Sequence, residues 1–365
     1  MNAKIIPIIS MLLLLPGFAA AVCGDASGGA EPTTITDGTG RTFEYTEPTK
    51  HIVTMGYAST LTVAMLGEID KIIAVDTYST YEYTKDERLK DLKAMNMGSI
   101  YSASNNDKIL TQFILWVEKG EMNLDDTIIL TAYSNANVLR NELNSVGFSK
   151  VLVYLSITEY EDIVRFVEDI SIIVTGKISK IADDMRLVKS TIDERLAGVS
   201  EKAKGIGVWY TASSKEFSVG NTGSITVSLI EAAGGINAAK DPSKGSPVYG
   251  NISTIIGLVS SDTSTVIFLP NNYIKDHSES EFRNEYLDKN SDITIVSMKQ
   301  NWNNYCPDAA EGLWAFACAL YPDLFEGQAP QTDEPASSNV LLYAAAGVVA
   351  VIVVLALAYF IMKRP

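Results

Sequence analysis

Residues 178–203 read ISKIADDMRLVKSTIDERLAGVSEKA. Ile178, Ile181, Met185, Val188, Ile192, Leu196, Val199 and Ala203 follow one another at steps of three or four, so an α-helix places them on one stripe. The remaining face is charged, with Lys180, Asp183, Asp184, Arg186, Lys189, Asp193, Glu194 and Arg195. Gly176 precedes the run and Gly205 follows it; inside it only Gly198 opposes a helix, at a cost of about 1 kcal/mol relative to Ala. At 1.5 Å per residue the predicted helix is about 39 Å long. A coiled-coil pairing segment would share this pattern, but the repeat lasts under four heptads, which is marginal for one. Strand–helix alternation on both sides makes the run a spine between two lobes.

Working outward, residues 33–45 (TTITDGTGRTFEY) form a predicted hairpin turning at Asp37-Gly38-Thr39-Gly40. Strands are predicted at residues 51–55, 71–75, 127–130 and 150–154, and helices at 58–66, 109–118, 137–146 and 159–174. The second half repeats the style, with strands at 207–210, 265–269 and 293–296 and helices at 224–233, 253–260, 279–287 and 308–320. The strands are continuous apolar runs, as expected of parallel strands covered by helices on both faces. The expected fold is α/β: two doubly wound lobes, 33–175 and 205–325, joined by one long α-helix at 176–204, plus a C-terminal transmembrane helix.

The two ends carry separate signals. Lys4, the apolar run 5–15 and the small residues before Cys23 have the layout of a secretory signal over residues 1–23; Cys23 also raises lipidation. Residues 340–362 contain no charge and are long enough to span a hydrocarbon core as a helix. Lys363 and Arg364 follow directly, which favours a cytoplasmic C-terminus and an extracellular body in a single-pass membrane protein. Between body and span, residues 326–339 (EGQAPQTDEPASSN) read as a flexible stalk. Of 29 Lys and Arg residues, Lys4, Lys363 and Arg364 lie outside the body, leaving 26 cations against 44 acids, a balance of −18. That argues against nucleic acid as a partner. Cys306 and Cys318 flank most of a predicted helix, which holds them too far apart for a disulfide.

Enzymatic constellations are sparse. The two histidines, His51 and His277, share no ligand spacing with a cysteine or carboxylate, and no Gly-x-Ser-x-Gly elbow or Walker loop is present. Gly205-x-Gly207 lacks the third glycine of a dinucleotide fingerprint. Gly220 to Ser224 reads as a turn with an N-cap, with an anion cradle as the alternative. Asn251-Ile252-Ser253 matches a glycosylation sequon. No catalytic residue, metal ligand or cofactor is therefore assigned. Aromatic and amide residues instead gather just after strands, where doubly wound sheets bind ligands: Tyr57, Tyr78, Tyr101 and Tyr133 in the first lobe, and Tyr210, Asn271, Asn272 and Tyr273 in the second. Tyr249, Trp302, Asn304 and Tyr305 lie in loops able to join them. The predicted ligand-binding set is Tyr57, Tyr78, Tyr101, Tyr133, Tyr210, Tyr249, Asn271, Trp302 and Tyr305, which suits a bulky organic ligand better than a bare ion.

Five segments, in order, resemble the helix-linked (class III) periplasmic-type substrate-binding proteins of ABC importers, the cluster serving siderophore iron, haem and cobalamin. They are Thr36-Asp37-Gly38-x-Gly40-Arg41-Thr42 with His51-Ile52-Val53; Leu66-Gly67-x-x-Asp70-Lys71-Ile72-Ile73-Ala74-Val75; Thr175-Gly176-Lys177; Ala233-Gly234-Gly235-Ile236-Asn237; and Gly312-Leu313-Trp314 through Tyr321-Pro322-Asp323-Leu324-Phe325. The resemblance implies ligand held between hinged lobes and delivery to a permease with its ATPase. Relatives meet permease arginines through one glutamate on each lobe. The aligned positions here, Leu61 and residues 255–257, are not acidic, which leaves Glu68 and Glu231 as the docking alternatives.

The resulting expectation is a membrane-tethered extracellular receptor for an organic metal chelate or a tetrapyrrole. A non-transport surface or sensory binding protein and a chelatase-like enzyme on the same architecture are the alternatives.

Overall fold

A computed structural model describes residues 33–132, 136–154, 157–239, 246–287 and 292–331. Its elements run β1 (Thr33–Thr36), β2 (Thr42–Tyr45), β3 (His51–Met55), α1 (Tyr57–Met65), β4 (Ile72–Val75), α2 (Tyr81–Thr84), β5 (Met95–Asn96), α3 (Asn106–Glu118), β6 (Thr127–Thr131), α4 (Ala136–Ser145), β7 (Val151–Val153), α5 (Tyr160–Thr175) and α6 (Lys180–Leu196). The second half adds β8 (Lys204–Thr211), β9 (Glu216–Gly220), α7 (Ile225–Ala232), β10 (Ile236–Asn237), β11 (Val248–Tyr249), α8 (Ile252–Ser261), β12 (Val266–Leu269), α9 (Asn271–Ile274), α10 (Glu279–Tyr286), β13 (Ile295–Ser297) and α11 (Ala309–Leu320).

Strands β5-β4-β3-β6-β7 form one wholly parallel sheet. The chain moves from β3 to one side through β4 and β5, then returns to the other side with β6 and β7. The carboxyl end of β3 is thus a switch point, where loops diverge and leave a crevice. The second sheet has the order β11-β9-β8-β12-β13, with β10 on the start of β8. It departs from the expected parallel sheet. β8, β12 and β13 are parallel, but β8–β9 and β9–β11 are antiparallel. The reason is a tight turn after β8: Lys215 takes a left-handed φ of 57° and sends Phe217 and Val219 back beside Val208 and Tyr210.

Side chains alternate across both sheets and sort into three apolar clusters. Val53, Ile129, Val151 and Val153 face α3 and α4 on the outside of the first sheet. Ile206, Val208, Ile267 and Leu269 face the outside of the second. Their neighbours Ile52, Ile128, Leu152, Val266 and Phe268 belong to a single cluster that also takes in α5, α6, α7 and α11 and so runs through both lobes.

The spine is one helix, α6, shorter than the expected run and packed against α5. α5 ends at Gly176, whose φ of 79° suits glycine, and Ser179 caps α6 by accepting from the Ala182 amide. Helix α6 is 17 residues long, about 25 Å. Ile178 therefore falls outside it and is 47% exposed, while Val199 and Ala203 lie beyond its end, where Ala197 and Gly198 turn the chain. The buried stripe is Ala182, Met185, Val188 and Ile192. The Tyr160 hydroxyl donates to the Met185 carbonyl at 2.9 Å, and Glu168 pairs with Arg186, so α5 and α6 are held together by polar contacts as well as packing.

Gly205 and Gly207 have a packing role. A Cβ at Gly207 would stand 2.9 Å from Thr226 Cγ2, and one at Gly205 3.0 Å from Phe268. Their bare faces let α7 close onto β8. Cys306 and Cys318 are free thiols. Among the described residues no helix is long and apolar enough to cross a membrane. The leader expected at 1–23 and the span expected at 340–362 lie outside those residues.

Burial separates two isoleucines of the spine that the sequence pattern treats alike. Ile192→Ala is expected to lower the unfolding free energy by about 2–5 kcal/mol, whereas Ile178→Ala changes it by no more than about 0.5 kcal/mol. Urea denaturation of the two variants measures this, and equal losses would refute the placement of the helix start.

Candidate functional site

The carboxyl ends of both sheets point at one cleft. Its larger chamber, 520 Å³, is lined by Gly56, Tyr57 and Ala58 after β3, Tyr78, Tyr83 and Thr84 after β4, Tyr101 after β5, Ala132 after β6, and Gln300, Asn304 and Tyr305 after β13. A smaller chamber of 300 Å³ is lined by Trp209, Pro270, Asn271, Asn272, Asn301 and Asn303 together with the same Gln300 and Asn304. Those two shared side chains make the chambers adjoining halves of one site between the lobes.

A buried carboxylate shapes the first-lobe wall. Asp76, at the end of β4, accepts from the amides of Gly56 (2.8 Å) and Tyr78 (2.9 Å) and from the Ser79 hydroxyl (2.5 Å). It thereby fixes the loops that follow β3 and β4 together. Gly56 has a φ of 112°, so the turn from strand to helix there needs glycine. Burial raises the Asp76 carboxyl above the usual range despite these donors. On this base the rings of Tyr83 and Tyr101 lie 4.9 and 4.8 Å from that of Tyr78. Tyr83 and Tyr101 are 61% and 56% exposed, so the cluster presents aromatic faces outward. Ser99 donates to the Tyr78 hydroxyl at 3.1 Å.

Below the cleft, a polar network joins the lobes. Arg88 places one nitrogen 2.8 Å from each oxygen of Asp308 and also donates to Asp86 at 2.7 and 2.9 Å. The Tyr57 hydroxyl donates to Asp86 at 2.5 Å and accepts from Asn301 at 3.0 Å; Asn301 also donates to Asp308 at 3.2 Å. Asn301 adopts a left-handed φ of 71°, which asparagine tolerates better than most side chains. Burial alone would raise the Asp86 carboxyl, but its bonds from Arg88 and Tyr57 hold it at about 2. Burial and the bond to Asp86 push the Tyr57 hydroxyl up, so it remains a protonated donor.

The structure brings Tyr57, Tyr78, Tyr101, Asn271 and Tyr305 of the predicted set to this cleft. Tyr133 lies outside the described residues. Tyr210 does not line the cleft: it is 7% exposed and packs on Phe217 and Tyr273. Successive strand residues face opposite ways, and on β8 it is Trp209, half exposed, that turns to the site. Trp302 is buried against the start of α11, where a Cβ on Gly312 would meet it at 2.8 Å. Tyr249 pairs with Val219 in the sheet and packs against the outer cluster of the second lobe. Glu68 and Glu231 follow or end helices that run back from the cleft, so they sit at the far ends of their lobes. Glu68 is paired with Lys71 at 2.9 Å, and Glu231 is exposed. Sequence reasoning missed Trp209, Tyr83, Gln300 and Asn303 as lining residues and the whole Asp86–Arg88–Asp308 network. Two cues were present: the aromatic run over residues 78–83 and the amide-rich stretch 300–304.

No protein-family model and no curated protein sequence matches the chain. Solved structures do. CeuE of Helicobacter pylori with Ni(II) bound superposes with a TM-score of 0.57 at 17% identity, over 80% of this chain and 90% of that one. This chain has the helix-linked periplasmic-binding-protein fold. The periplasmic vitamin B12 binding protein BtuF of Vibrio cholerae matches at 0.54 and 18% identity, over 75% of this chain and 97% of that one. The periplasmic heme-binding protein RhuT of Roseiflexus sp. RS-1 matches at 0.53 and 16%, over 75% and 98%. At these identities the likeness concerns the fold.

A carboxyl held below its free value of about 3.9 stabilises the fold above that pH and loses its contribution as pH falls through about 2. Between about pH 5 and pH 2 the melting temperature of the parent should therefore drop more steeply than that of Asp86→Asn. Parallel acid limbs would show that the network contributes nothing to joining the lobes.

Proposed function

We propose that this protein is the solute-binding receptor of an ABC importer. It takes an iron–siderophore, haem or cobalamin-type ligand between its lobes and passes it to a membrane permease served by an ATPase. The observation that carries this reading is the cleft itself. Two sheets direct their carboxyl ends at one continuous space, walled by exposed tyrosines on one side and by tryptophan and carboxamides on the other. Such walls supply wide apolar contact with hydrogen-bonding tips, which is what a large, rigid organic complex requires. The fold likeness supports it, since CeuE, BtuF and RhuT hold the same architecture. A binding role also fits the wall chemistry. The lining side chains are phenols, amides, one indole and small residues, which bind and orient an organic ligand.

The reading includes a tether. The uncharged run 340–362, followed by Lys363 and Arg364, anchors the chain in the cell membrane with its body outside, and the polar stretch 326–339 sets the reach of the body. Tethering raises the effective concentration of receptor at a neighbouring permease. The docking face belongs beside the cleft mouth, because ligand must leave there.

Ligand binding stabilises a receptor by mass action, by about 2.7 kcal/mol at a hundred times Kd. Melting curves with ferric siderophores, haem and corrinoids should show a rise for at least one class. Tyr101→Ala should weaken that binding at least about tenfold, a loss of about 1.4 kcal/mol, without lowering the ligand-free melting temperature. Flat curves across all three classes would sink the assignment.

A further inference from the structure

We propose that the part of the ligand buried in this cleft is uncharged. It is a complex rimmed by amides, hydroxyls and apolar rings, rather than one that brings carboxylates or a polyanionic metal centre into contact with the walls. This rests on the receptor reading above and narrows its ligand class.

Among the described residues that line the two chambers, none is charged. Every polar side chain there is a phenol, a carboxamide, a hydroxyl or an indole. Phenols and carboxamides both donate and accept, so they match neutral amide or hydroxyl groups of either polarity. The carboxylates hydrogen-bonded to the walls, Asp76 and Asp86, are already committed. Asp76 lies beneath the tyrosines and accepts three hydrogen bonds. Arg88 is shared between Asp86 and Asp308. One cation against two carboxylates leaves that network negative, so it repels an anion rather than receiving one. The amino ends of α1 and of the four-residue α9 both face the cleft, at Gly56 and at Pro270 and Asn271, as partial charges rather than ions. At α1 the Gly56 amide is already taken by Asp76 at 2.8 Å. The whole chain adds a formal charge of −15.

Moving a carboxylate out of water without a counter-charge costs several kcal/mol. Haem carries two carboxylates and a ferric tris-catecholate is a trianion, so either would have to keep its charge outside the walls described here. A complex with a rim of neutral amides meets no such penalty, because each buried polar atom finds a neutral partner.

The test uses the full chain and four probes: cyanocobalamin, a neutral ferric trihydroxamate, haem and a ferric tris-catecholate. Each is titrated by calorimetry at low and high NaCl. At least one neutral probe is expected to bind at least about tenfold more tightly than either anionic one, with a Kd that moves less than about twofold across the salt range, since screening acts on charge pairs. Gln300→Arg places a cation where the chambers meet and should raise affinity for the tris-catecholate at least about tenfold. Haem or the tris-catecholate binding as tightly as the neutral probes would overturn the charge assignment and leave the receptor reading standing. A Gln300→Arg protein that melts like the parent yet gains no affinity for the tris-catecholate would overturn it as well. If no probe bound, the receptor reading would fail and this one with it.

Discussion

The arrangement of the lobes depends on one shared burial. Each sheet has two apolar faces, and each face must be covered. The outer faces are covered separately, by α3 and α4 in the first lobe and by the cluster of Phe217, Tyr273 and Phe282 with α8 in the second. The inner faces are covered jointly. Ile52 and Leu152 from one sheet and Phe268 from the other join the same cluster through α5, α6, α7 and α11. Phe268 stacks on Phe316 of α11 at 3.9 Å, and Arg195 at the end of α6 lies over Trp314 and Phe325. A close-packed interior resists deformation. The lobes are therefore not free to swing as independent bodies, and the width of the cleft is set mainly by this core.

The polar network below the cleft adds direction to that constraint. Hydrophobic contact fixes how close two bodies lie but is tolerant of sliding. A planar guanidinium forked onto a carboxylate is not. Arg88 and Asp308 meet in that geometry, with Asn301 and Tyr57 filling the remaining lone pairs. Ion pairs of this kind contribute modestly to net stability, because desolvation offsets attraction, but separating the partners leaves charges stranded. The network accordingly aligns lobes whose contact is secured by the core.

The sequence carried the local rules well and the long-range ones poorly. Continuous apolar runs located β3, β4, β6, β7 and β12 to within a residue or two, and Gly176 marked the end of α5, while the Ser179 cap that starts α6 went unread. The overlong spine came from extending a stripe past Gly198, where periodicity continues by chance but the backbone turns. β9 was missed because its two buried apolar residues, Phe217 and Val219, are too few to establish alternation without the turn at Lys215. The same limit explains the exchange of Tyr210 for Trp209: a strand's residues are legible, but a shift of one position reverses which face each occupies. Tyrosines placed after strands followed from topology alone, since a switch point opens a crevice wherever the loops diverge. Partnerships across the chain had no local signature at all. Nothing near Arg88 names Asp308, and nothing in the amide-rich stretch 300–304 reveals that it serves both chambers.

The fork between Arg88 and Asp308 spans 220 residues of chain. Closing so long a loop is entropically slow to begin, so this contact belongs to the end of folding rather than its start. Asp86 and Arg88 are two residues apart and both belong to the first lobe, whereas the third member of the fork comes from the second. Only when the last helix of the body has been made does Asp308 arrive to complete it. The cleft is thus walled and floored only after both halves exist.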